Sequence, residues 1–192
     1  MTTFTIRSVA GVGNDVDAIV GIISESQRVL DAEFLAAGGR ANHDEWTGRV
    51  SDPQTEWVLA IAPDGSPAGF AGWRYLTTTS HLHALFVADA FQRQGCAGAL
   101  IAHHWQTVID HQPTTQIFTL HVRTPAYWAR ALYERQGYRY YQAGDEKTWP
   151  ALTTWIDTCR SRGKWPLEDE KLLMFQPTHD TQNRKSDRHA HK

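Results

Sequence analysis

A chain of 192 residues with 41% hydrophobic and 21% charged residues suits one soluble domain with an embellishment, and excludes a disordered or fibrous class. Its formal net charge of -2 gives no global field toward nucleic acid or an anionic membrane, and no window nears the ~18 consecutive apolar residues of a membrane span. Two cysteines, Cys96 and Cys159, cannot build a disulfide framework, and the amino terminus lacks a basic region followed by an apolar run, so a reducing cytoplasm is the expected location.

In chain order, TFTIRSV alternates and is rich in β-branched residues, which predicts a strand. GVGND breaks it, with Asn14 or Asp15 as an N-cap, and helical spacing of apolar residues runs from Val16 to Leu30. A second helix is predicted from Asn42 to Val50, stopped by Ser51-Asp52-Pro53. TEWVLAIA and AGFAGWRYL, joined by PDGSP, read as a hairpin, and HLHALFV as the next strand.

That strand stops at Ala88-Asp89, and QRQGCAG follows as a glycine-bearing loop into a helix from Ala99 to Val108. QIFTLHV is a strand that Pro125 closes. Ala126 to Gln136 is a helix ended by Gly137, and YRYYQ and KLLMFQP are a final strand pair. Between that pair, Leu152, Trp155, Ile156 and Cys159 fall at i, i+3, i+4 and i+7, predicting an inserted amphipathic helix within 143–170, capped by Thr148 and ended by Gly163. Residues 178–192 are expected to be a polar, disordered tail, and 1–177 a single domain. Hairpins early and helical crossovers late predict an α+β fold layered α/β/α, with a mixed central sheet of about six or seven strands.

The strongest chemical signal is strand, loop, helix at FVADAFQRQGCAGALI. A glycine turn feeding a helix start gathers free backbone N–H groups at the positive end of the helix dipole, which suits a pyrophosphate. A plain strand-to-helix turn is the alternative. Neither GxxxxGK[ST] nor GxGxxG is present, so nucleoside triphosphates and dinucleotides are poor ligands.

At this loop the chain resembles the GNAT (general N-acetyltransferase) superfamily. Gln92-Arg93-Gln94-Gly95-Cys96-Ala97 fits the family's Q/R-x-x-G-x-G/A pattern, HLHALFV its fourth strand, and AYWARALYERQGY its second signature, N-x-x-A-x-x-L-Y-E-x-x-G-F/Y. One position departs: Ala126 stands where the family has Asn. The resemblance covers residues 3 to 177 apart from the insertion. It implies a fourth strand splayed from the fifth, with the pantetheine arm of acetyl-coenzyme A slotted into the gap.

It further implies that backbone groups of Leu85, Phe86 and Val87 pair with that arm, and that amides of Gln92, Arg93, Gln94, Gly95, Cys96, Ala97, Gly98 and Ala99 hold the pyrophosphate. An amide near Phe86 or Val87 would polarise the thioester carbonyl. Tyr133 matches the tyrosine that protonates the departing thiolate. His81 falls where some members carry a catalytic glutamate, and His83 shares its strand face, so either imidazole is a candidate base, with a water chain as the alternative. No metal is expected, since no carboxylate or cysteine completes a set with the two histidines.

The implied function is transfer of an acetyl group to a primary amine of a small molecule or peptide, in a ternary complex, by a monomer or a homodimer. Two alternatives are a weakly catalytic acyl-coenzyme A sensor or scaffold, which Ala126 favours, and a toxin-like aminoacyl-tRNA acetyltransferase, for which the charge balance supplies no basic face. Glu25, Asp31 and Glu33 are candidates for holding a cationic acceptor, with a solvated face as the alternative. Trp46, Trp73 and Trp128 either border an acceptor cleft or pack the core, and Trp149, Trp155 and Trp165 suit a lid or a dimer contact.

Overall fold

The computed structural model describes residues 2–9, 13–26, 43–163, 165 and 171–178. Asp31, Glu33 and nearly all of the tail lie outside them. In chain order the elements are β1 (Thr5–Ser8), α1 (Asn14–Ser26), α2 (His43–Val50), β2 (Thr55–Ile61), β3 (Pro67–Leu76) and β4 (Thr79–Val87), followed by a single 3-10 turn (Asp89–Phe91). Then come α3 (Cys96–His111), β5 (Ile117–Arg123), α4 (Tyr127–Gln136), β6 (Arg139–Tyr140), α5 (Asp145–Thr148), α6 (Pro150–Ser161) and β7 (Lys171–Pro177).

The seven strands run in the order β1-β2-β3-β4-β5-β7-β6. β1 with β2 and β2 with β3 are antiparallel, β4 with β5 is parallel, and β7 is antiparallel to both β5 and β6. The mixed α+β sheet expected from hairpins and crossovers is therefore the observed fold. The pairs of β4 with β5 run from Thr79↔Ile117 to Leu82↔Leu120, whereas β4 itself continues to Val87.

The chain divides into two compact units, Met1–Arg74 with His83–His104, and Tyr75–Leu82 with Trp105–Lys192. In the first, the apolar stripe of α1 (Val16, Ile19, Ile22, Ile23) packs with Trp46 and Val50 of α2 onto Trp57, Leu59 and Phe70. Each such side chain contributes roughly 1.5–3 kcal/mol by leaving water. The entry to α1 is fixed electrostatically: Arg7 of β1 donates two hydrogen bonds to the Asp15 carboxylate, at 2.9 and 2.6 Å. Because Asp15 is buried and Arg7 half-exposed, this bidentate pair is held better than a free surface pair.

In the second unit, Leu152, Trp155 and Cys159 of α6 pack with Ile117, Leu173 and Phe175, and Trp149 and Trp165 border the same cluster. These tryptophans are thus built into the core of their own unit. Trp46 and Trp73 are also buried, whereas Trp128 is exposed.

Several boundaries differ from the periodicity reading. α3 starts at Cys96 rather than Ala99, because its first turn, Cys-Ala-Gly, carries no apolar stripe. YRYYQ contributes only Arg139 and Tyr140 to β6. Thr148 does not cap the long helix: it ends α5, and Pro150, whose fixed φ suits the first helical turn, starts α6 instead. Gly163 does follow that helix in a left-handed conformation, φ 66°.

Candidate active site

The loop between β4 and α3 turns sharply. Gln92 is extended, Arg93 has φ 60° and Gly95 φ 95°, so two left-handed residues turn the chain within three positions. A left-handed arginine is strained, and strain of this kind clusters at ligand-binding turns. The first bond of α3 runs from Ala99 N to Gly95 O at 3.0 Å, and the amides of Cys96, Ala97 and Gly98 come before it, in the unsatisfied first turn. Gln92 to Gly95 are exposed.

The space in front of the turn is open. A Cβ on Gly95 would meet no atom within 4 Å, so the turn opens on free volume. Cys96 points the other way. Its side chain is buried, and burial pushes the thiol up to about 12, which leaves it an inert packing group rather than a nucleophile.

The edge that leads into this loop is held from behind. Phe86 stacks on Phe70 with centroids 5.3 Å apart, and Ala88 N donates to Ala68 O at 2.9 Å. The Ser26 hydroxyl, which donates mainly to Ile22 O at 2.8 Å, also lies 3.3 Å from Val87 O and brings the end of α1 to the end of β4. Leu85, Phe86 and Val87 remain half-buried.

The two strand histidines, though only two residues apart, occupy different surroundings. His81 is buried, with its Nδ1 3.0 Å from the Thr119 hydroxyl, and its ring lies 4.5 Å from Trp155 and 4.9 Å from His121. His83 is exposed and faces the edge of Trp57, centroids 6.2 Å apart. Alternation alone predicts two equivalent residues, which the structure does not provide.

The turn before β2 holds a group that the sequence reading took only as a helix stop. The Asp52 carboxylate accepts from Gln54 N at 3.0 Å, from the Thr55 hydroxyl at 3.4 Å and from the Arg74 guanidinium, whose Nε also donates to Thr55 Oγ1 at 2.8 Å. The Gln54 amide above all, with smaller help from the Arg74 charge, the Thr55 hydroxyl and last the His83 charge, holds this carboxyl below the ordinary carboxylate range against the opposing effect of desolvation, the second in size. Asp52 and Arg74 are 22 residues apart, so no local spacing could have revealed the pair; it follows from the β2–β3 register, which sets Thr55 opposite Arg74.

Tyr133, on α4 in the second unit, is buried, and burial raises its phenol well above the usual range. Its ring meets Tyr138 edge-on at 5.7 Å, and Trp105 Nε1 donates to the Tyr138 hydroxyl at 3.1 Å. Ala126 precedes α4 and gives it no side-chain cap, consistent with the loss of the family's asparagine. Glu25 is exposed. Among the described residues, no group of three or more His, Cys, Asp or Glu is placed to hold a metal ion, and no helix is long and apolar enough to cross a membrane.

Residues 17–153 match the model of the acetyltransferase (GNAT) domain. Solved structures with the same fold include the PaiA N-acetyltransferase of Thermoplasma acidophilum in complex with coenzyme A, at 11% identity and TM-score 0.67, over 91% of this chain and 99% of that one. The ribosomal-protein-S18-alanine N-acetyltransferase of Escherichia coli matches at 18% identity and TM-score 0.62, over 92% and 94%. Tetrahymena GCN5 matches at 13% and 0.62, over 92% and 96%. No curated protein matches the chain in sequence. These structural likenesses speak to the fold, and the domain match, which covers more than half of the chain, decides the family: the protein belongs to the GNAT acetyltransferases.

Proposed function

We propose that the protein transfers an acetyl group from acetyl-coenzyme A to a primary amine of a small molecule or peptide, by direct attack in a ternary complex. The observation that carries this reading is the exposed turn of Arg93 and Gly95, opening on the unsatisfied amides of α3. Family membership and the coenzyme A bound by the Thermoplasma neighbour support the same donor.

In this reading the amides of Gln92 to Ala99 bind the pyrophosphate, and the backbone of Leu85 to Val87 aligns the pantetheine arm. An amide near Phe86 or Val87 polarises the thioester carbonyl. A β4 imidazole, His81 or His83, takes the proton of the attacking amine as the C–N bond forms. As the C–S bond breaks, Tyr133 gives its proton to the thiolate. Its phenol is protonated at neutral pH, the state that a proton donor needs.

Thermal unfolding with and without coenzyme A and acetyl-coenzyme A tests the donor. A stabilising shift is expected, and Gly95→Val should abolish it, since a β-branched residue at φ 95° would be strained and would fill the open space. No shift with either ligand at millimolar concentration overturns the reading. Thiol release against a panel of amines then tests transfer. Tyr133→Phe should lower turnover about a hundredfold while leaving the coenzyme-induced shift intact. A specific observation keeps a second reading open: Ala126 supplies no side-chain polar group at the asparagine position, so a chain that binds coenzyme A without releasing thiol would be a sensor.

A further inference from the structure

We infer that Gly69 of β3 and Cys96 of α3 form a joint that sets where the two donor-binding segments stand relative to each other, which makes both of them positioning residues for acetyl-coenzyme A. The inference rests on the function proposed above. It adds what holds the pantetheine edge and the pyrophosphate turn at the spacing of one ligand.

Gly69 is buried in β3, and the joint uses its missing side chain. A Cβ there would stand 2.7 Å from the Phe86 carbonyl oxygen, 3.1 Å from Cys96 Sγ and 3.3 Å from Val87 Cγ2. Two of these atoms belong to the end of β4, and the third to the first residue of α3. The shortest of the three approaches is to a backbone oxygen, which cannot rotate aside as a flexible side chain can.

The surroundings leave the joint little play. Ala88 N donates to Ala68 O at 2.9 Å beside it, so β3 and β4 cannot part there without losing a backbone bond. Phe86 stacks on Phe70 at 5.3 Å, and Cys96 is buried. Phe86 and Val87 lie in the edge proposed for the pantetheine arm, and Cys96 opens the unsatisfied first turn of α3 proposed for the pyrophosphate. One ligand must meet both segments at once, so its affinity follows their separation, and a misplacement of about 1 Å can cost a hundredfold.

The second glycine of β3 supplies the control. Gly72 faces the ring of Trp57 on β2, so a side chain there presses on the opposite neighbour and leaves β4 and α3 untouched.

Calorimetric titration with coenzyme A, and steady-state kinetics with acetyl-coenzyme A and the best amine of the panel, test the joint in the full chain. Gly69→Ala should raise the Kd of coenzyme A and the KM for acetyl-coenzyme A about tenfold, with the KM for the amine unchanged. Gly72→Ala should lower the thermal midpoint without moving either coenzyme constant, since a smaller folded fraction lowers kcat and not KM. Adding Cys96→Ala to Gly69→Ala gives the new methyl the space of Sγ, and should recover part of the lost affinity. Should Gly69→Ala not fold, Cys96→Met crowds the joint from the helix side and should raise the same two constants. Wild-type constants in the folded variant overturn the inference, as do constants that rise equally in Gly69→Ala and Gly72→Ala, or a double variant that recovers nothing. Failure of the proposed function looks different: wild type then binds no coenzyme A, and the joint falls with it. A wild type that binds coenzyme A without releasing thiol removes the transfer reading, while the coenzyme A constants still decide the joint.

Discussion

His81 Nδ1 and the Thr119 hydroxyl lie 3.0 Å apart in the interior of the second unit, where β4 and β5 run parallel and pair His81 with Thr119. The Thr119 hydroxyl also donates to Ser80 O at 3.5 Å, leaving its lone pairs to accept from a protonated Nδ1. The pair is therefore a structural element, satisfying a polar group that Trp155 and His121 seal from water. Thr119→Val, of nearly the same shape, should destabilise the protein by about 1–3 kcal/mol because the imidazole nitrogen loses its partner. Urea unfolding measures this, and a midpoint equal to wild type would contradict it.

Trp57 lies flat across Gly72 of the adjacent strand, and the register pairs the two residues directly. A Cβ at Gly72 would come 2.3 Å from Trp57 Cε3 and 2.4 Å from Cζ3. The ring has little room to retreat: Trp46 meets it at 5.7 Å, Phe70 at 6.2 Å, and its N–H is held by Arg49 O. Gly72→Ala should therefore cost about 1–3 kcal/mol or more through overpacking. A thermal midpoint within error of wild type would show that the ring moves freely.

His104, fully buried on α3 with its ring 4.8 Å from Trp73, makes stability depend on pH. Burial first, and His103 second, lower its pKa from an ordinary 6.5 to about 3. Between those values the unfolded chain binds a proton that the folded chain refuses. Stability from this group is thus complete above the unfolded value, and falls as pH drops below 6.5 toward 3. The slope is about 1.4 kcal/mol per pH unit. His104→Leu should flatten that part of the profile, measured by urea unfolding at several pH values between neutral and weakly acidic. An unchanged slope would assign the acid sensitivity to other groups.

What the sequence determined by itself is what local geometry controls. Alternation and β-branching located β2, β3, β4 and β5 to within a few residues, and KLLMFQP coincides with β7. The glycine turn before α3 was legible because its geometry is backbone geometry. Gly95 before a helix start fixes where the amides point, whatever packs around them. The apolar stripe Leu152, Trp155, Ile156, Cys159 was equally legible as a buried helix face.

The tertiary structure alone decided what each of these faces meets. Trp155 became the wall against His81 only once α6 packed on β5 and β7, and that contact withdrew His81 from solvent. Asp52 and Arg74 became partners only through the β2–β3 register, which gave a residue that read as a helix stop a charged partner 22 residues away. Period-two spacing made His81 and His83 equivalent. Packing separated them, because burial and charge are set by neighbours distant in the chain, and spacing along one strand carries no record of those neighbours.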